Sequence, residues 1–223
     1  MFKELFSAFR DKSGDTLDQA FSQFVEMLDH GQWMFIRANE VLRGVATADE
    51  VQDSLYRRDQ SINELERSVR RKILRHLTIN PGEDVAACLA LMSVVKDAER
   101  IGDYCKNVFE VGRFYKEGVH VPEFHDALEE VRVDTRELFP AVSRAFADSN
   151  EELAQKAISI AHSIRGRCDK VITKLLNEET TMQTQDAVAY SLLARHYKRV
   201  AGHLENISTA VLGQLDELDF RPE

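Results

Sequence analysis

Leu55, Ile62, Leu65, Val69, Ile73 and Leu77 recur at spacings of seven, three and four, and no Pro or Gly interrupts the stretch from Thr47 to Thr78. That period places six apolar side chains on one face of a helix far longer than any ordinary strand. Thr47-Ala-Asp-Glu50 has the form of a capping box and sets its start. The same scarcity of breakers holds throughout: 223 residues contain four prolines and ten glycines. A chain with so few places to turn is expected to be all-α, built from long helices.

Taken in order, Phe2, Leu5, Phe6 and Phe9 predict a short amphipathic helix over residues 2–11, packed on the bundle or on a second subunit. Leu17, Phe21, Phe24, Leu28, Phe35 and Leu42 mark a helix from Asp15 or Thr16 to Gly44, with Trp33 and Met34 as core or interface fillers. Asn80-Pro-Gly82 is a turn, and the next helix runs from about Glu83 to Tyr115. Beyond the break at Gly118–Pro122, helices are expected over 123–147, 151–176 and 186–218. The middle one buries Leu153, Ala157, Ile160, Ile164, Cys168, Val171 and Leu175. The tail from Asp219 should fray.

Hydrophobic residues make up 43% and charged residues 30%, an ordinary globular mixture. A net charge of −9 argues against nucleic-acid binding, which needs Lys and Arg to neutralise phosphates, and suits cation binding. Cys88, Cys105 and Cys168 have no metal or disulfide spacing and read as core residues in a reducing compartment. No apolar run is long enough to span a membrane, and the N-terminus lacks the apolar segment of a signal peptide, so a cytoplasmic location is expected. A Gly-rich phosphate loop, G-x-S-x-G and H-E-x-x-H are all absent, which argues against an enzyme.

The stretch Lys96–Val108 carries the chemistry. Glu99 and Asp103 sit one turn apart on the same side of their helix, and such a like-charge pair costs an isolated helix roughly 0.2–0.5 kcal/mol. A cation between the oxygens would offset that cost. The plain alternative is an ion-pair-laced surface, with Arg100 on Asp103 and Lys106 on Asp103 or Glu110. The run Arg67, Arg70, Arg71, Lys72 and Arg75 reads as a solvated or salt-bridged face, or as a receiver for an acidic or phosphorylated partner.

E-R-I-G-D-x-x-x-N, from Glu99 to Asn107, resembles the signature of the PhoU family of bacterial phosphate-signalling regulators. The resemblance implies two tandem three-helix bundles, each with an E/D-x-x-x-D metal motif. Sliding the last helix by 99 residues lays Arg100 on Arg199, Asn107 on Asn206 and Lys96 on Arg195. An internal repeat is therefore expected: an N-terminal helix in 1–13, repeats over 14–118 and 119–218, and a tail over 219–223. In the second copy Lys198 replaces the Glu and Gly202 the Asp, so no metal site is expected there. In the first, the candidate metal ligands are Glu99, Asp103, Asp59 and Asn63. Carboxylate chemistry favours Mg, Ca or Mn, and the resemblance adds iron or zinc.

The resemblance further implies a non-enzymatic regulator of phosphate uptake or phosphate-starvation signalling. It would act as a helical adaptor on a phosphate transporter or sensor histidine kinase, touching the membrane only through its partner, and as a possible homodimer. The competing readings are a carboxylate-site metalloenzyme on a helical bundle and a purely structural helical module.

Overall fold

Thr47 and Glu50 close the capping box that their spacing predicts. In the computed structural model the Thr47 backbone N–H donates to Glu50 Oε2 at 2.8 Å, and the Glu50 N–H donates back to Thr47 Oγ1 at 3.4 Å. The structure describes residues 15–115, 122–177 and 182–214, with 216 and 218. The expected N-terminal helix, the repeat boundary at 118/119 and the tail 219–223 lie outside these residues.

Six long helices follow one another: α1 (Asp15–Leu42), α2 (Ala48–Ile79), α3 (Val85–Phe114), α4 (Pro122–Ala147), α5 (Glu151–Asn177) and α6 (Thr184–Val211). No strand occurs among the described residues. The α2–α3 hairpin is fastened by buried His76, whose Nε2–H donates to Asp84 Oδ2 at 3.1 Å. The last helix stops at Val211 rather than the expected Leu218, because Leu212 caps it and Gly213 turns into the left-handed region at φ +74°.

The apolar stripes put α1, α3, α6 and α4 at the centre, with α2 laid on α1 and α3, and α5 on α4 and α6. One continuous core runs through both halves. Across the middle, Phe35 of α1 meets Phe139 of α4 with ring centroids 5.6 Å apart, and Tyr197 of α6 at the same distance. Phe24 and Phe146 meet at 4.5 Å. Each such ring, fully buried, contributes about 1.5–3 kcal/mol. Met34 is buried as expected, and Trp33 lies beneath the Arg58 guanidinium at 4.7 Å. Ile160 departs from its expected place: it is exposed, because the buried row of α5 runs through Ala157, Ala161, Ile164 and Cys168, one position round the helix.

The repeat appears as an approximate two-fold between α3 and α6. The 99-residue register pairs Tyr104 with His203, and these two rings stack on each other, centroids 5.6 Å apart and 23° between planes. The register also pairs Asp97 with His196. Asp97 Oδ1 accepts from His203 Nδ1 at 2.8 Å, while His196 lies against Tyr104 at 6.0 Å.

Candidate functional site

Gly102 has a reason to be glycine. A Cβ there would stand 3.1 Å from Ile62 Cδ1 and 3.7 Å from Asp59 Oδ1, so its absence lets α2 lie close on α3. That approach brings Asp59 of α2 to the row Glu99, Asp103 and Lys106 of α3. Lys106 Nζ stands 2.9 Å from Asp59 Oδ1 and 3.0 Å from Asp103 Oδ1, largely shielded from solvent. Burial works against the Lys106 charge, but the hydrogen bonds to Asp59 and Asp103 outweigh it and hold the ammonium above its ordinary pKa.

The remaining two candidates face other groups. Glu99 Oε2 lies 2.7 Å from Lys96 Nζ and 4.0 Å from Arg100 Nε. The Lys96 contact is an ion pair without hydrogen-bond alignment, since this buried oxygen has no hydrogen-bond partner. Asn63 turns its amide back onto its own helix, donating from Nδ2 to the Asp59 carbonyl at 3.1 Å. Arg100 Nη1 reaches Asp103 Oδ2 at 3.3 Å. The structure thus joins Asp59 and Asp103 through a lysine. No three His, Cys, Asp or Glu side chains converge on one point among the described residues.

At the matching place in the second half, α5 lies on α6. Arg165 Nη1 donates to buried Glu205 Oε2 at 2.9 Å. Lys198 Nζ holds both oxygens of Asp169, at 2.7 and 2.8 Å. Gly202 leaves room for the Arg165 side chain, which passes 4.0 Å from where its Cβ would be. In the 99-residue register Lys106 falls on Glu205, and the partners they face are Asp59 and Arg165. The same interhelical contact is made twice with the charges exchanged. One sequence signal pointed to it: the substitution of Glu205 for Lys106 together with Arg165 opposite.

Asn206 forms an interhelical bond, donating from Nδ2 to Asp97 Oδ1 at 2.9 Å. Its acceptor lies across the molecule, which no helical spacing reveals. The buried thiols offer no nucleophile. Burial pushes Cys88 up to about 11 and Cys168 up to about 12, and raises Cys105 further. On the outer face of α2, Arg67, Arg71 and Arg75 are exposed at successive turns beside exposed Leu74 and Ile79. None of the three forms an ion pair among the described residues, whereas Arg70 is held by Glu66 at 2.9 Å.

A sequence profile described as the PhoU domain matches residues 24–111 and again 128–211. Two curated proteins from Xylella fastidiosa strains Temecula1 and 9a5c, each a phosphate-specific transport system accessory protein PhoU homolog, are 25% identical to the chain over 184 residues. The alignments cover 78% of this chain and 73% and 75% of theirs. The fold is similar to that of PhoU from Pseudomonas aeruginosa, with a TM-score of 0.80, 18% identity and coverage of 90% of this chain and 97% of the other. It is also similar to the phosphate transport system regulatory protein PhoU from Streptococcus pneumoniae, with a TM-score of 0.74, 18% identity and coverage of 91% and 96%.

Proposed function

The chain belongs to the PhoU family, and from that premise we propose that it is a non-enzymatic regulator of phosphate uptake or phosphate-starvation signalling. It works in the cytoplasm as a helical adaptor on a phosphate transporter or its sensor kinase. The observation that carries this reading is the match of the family domain to both halves of the chain, beside curated relatives that are transport-system accessory proteins. Among the described residues no helix is long and apolar enough to cross a membrane, so membrane contact in this reading comes through the partner.

The surface best suited to that contact is the outer face of α2. Arg67, Arg71 and Arg75 repel one another at i, i+4 spacing in a chain of net charge −9. An acidic segment of a partner would relieve that repulsion, and Leu74 and Ile79 supply apolar contact beside it. The test is a deletion strain complemented with the parent chain or with the Arg67→Glu/Arg71→Glu/Arg75→Glu variant. Phosphate uptake and a starvation-responsive reporter are measured in parallel. Deletion is expected to release at least one of them from phosphate repression. The parent should restore repression, and the folded variant should not. A deletion that alters neither readout sinks the adaptor reading. A variant that complements fully moves the contact away from α2.

A further inference from the structure

The family resemblance calls for a metal between α2 and α3, and the residues present do not fit one. Three carboxylates, Asp59, Glu99 and Asp103, meet three cationic side chains, Lys106, Lys96 and Arg100, all within 4.0 Å of an acid. The cluster is electrically balanced as it stands. A divalent ion entering between Asp59 and Asp103 would compete with Lys106 for these carboxylates and would repel its ammonium at close range. Asn63 is committed to its own backbone.

We infer that Lys106 is the resident cation of this site, an internal ammonium standing where a metal ion would otherwise bridge the two helices, and that the bundle is held together without metal. The second half supplies an independent observation. There Arg165 and Glu205 make the counterpart of the Asp59–Lys106 contact with the charges exchanged, and Lys198 with Asp169 adds a second ion pair between the helices. With the polarity reversed at positions 165 and 205, a bridging cation would meet Arg165 and Lys198, yet α5 still packs on α6. The contact needs only charge balance between the two helices, and each half reaches it with its own side chains.

Because the two halves use opposite polarity, the first can be rewritten in the style of the second. The variants are Asp59→Arg, Lys106→Glu and both together, in the full chain. Each is compared with the parent by thermal unfolding and by elemental analysis after incubation with Mg, Mn, Fe(II) or Zn and desalting. Each single change leaves like charges facing one another and is expected to lower Tm by about 4 °C or more. The double variant, copying Arg165 against Glu205, is expected to recover at least half of the larger loss. The parent is expected to retain no stoichiometric metal, and its Tm should be unchanged by EDTA. A single variant too unstable to purify counts as a loss, since the double variant carries the decision. A double variant no more stable than the worse single overturns the inference. So does stoichiometric metal in the parent that the Glu99→Gln/Asp103→Asn variant loses, which would restore the metal assignment to Glu99, Asp103, Asp59 and Asn63.

Discussion

His196 lies in α6 against the ring of Tyr104 and next to Arg195, and its Nδ1 is buried without a hydrogen-bond partner. Burial, and secondarily Arg195, push its pKa down from 6.5 to about 4. As pH falls, the unfolded chain therefore takes up this proton before the folded one. Stability is untouched by His196 above pH 6.5 and declines as pH falls from 6.5 towards 4. The expected outcome is a Tm that drops more steeply over this range in the parent than in His196→Gln. Parallel curves would show that the folded chain takes up this proton as readily as the unfolded one. Carboxylates titrate near the lower end in both proteins, so the difference between the curves is the quantity to compare.

Helices of this length meet wherever their surfaces allow, and two glycines set how closely. Gly102 and Gly112 both lie in α3, nearly three turns apart. At Gly102 an added methyl would meet the flexible end of Ile62 at 3.1 Å. At Gly112 it would stand 2.7 Å from the Leu42 backbone nitrogen and 2.8 Å from its Cα, where only a shift of α1 makes room. Alanine gains up to about 1 kcal/mol of helix propensity at either site. Overpacking against backbone costs about 1–3 kcal/mol. Gly112→Ala should therefore be clearly destabilised in denaturant titrations, and Gly102→Ala much less so. Equal midpoints for the two variants would show that α1 yields freely at Leu42.

The two halves share one core, and the faces that join them are among the most apolar in the chain. Phe24, Phe35, Phe139, Phe146 and Tyr197 all pack across the centre. Tyr197 also donates its hydroxyl hydrogen to Asn39 Oδ1 inside this seam. Domains joined over such a surface unfold together. A single cooperative calorimetric transition is expected for the full chain. Residues 15–115 alone should form dimers or aggregates, because the bare α1 and α3 faces are left in water. Size-exclusion chromatography with light scattering checks this, and a stable monomeric fragment would mean that each repeat is self-sufficient.

The periodicity of apolar residues and the scarcity of breakers determined the six helices, and the capping box fixed the start of α2 to the residue. These features act within one or two turns, so the linear chain carries them in full. The 99-residue register showed that the second half had lost Glu99 and Asp103 equivalents, since that comparison needs no coordinates. Which charges face one another was decided only by tertiary structure. Lys106 has Glu110, Asp103 and Asp59 within the reach of a flexible side chain, and only the approach of α2 over Gly102 selects the latter two. Asp97 points away from Glu99 on the helical wheel, and docking of α6 alone gives it His203 and Asn206 as partners. Local sequence determines helices because their hydrogen bonds close over four residues. The pairing of side chains between helices depends on how whole faces settle, and no short stretch of the chain contains that information.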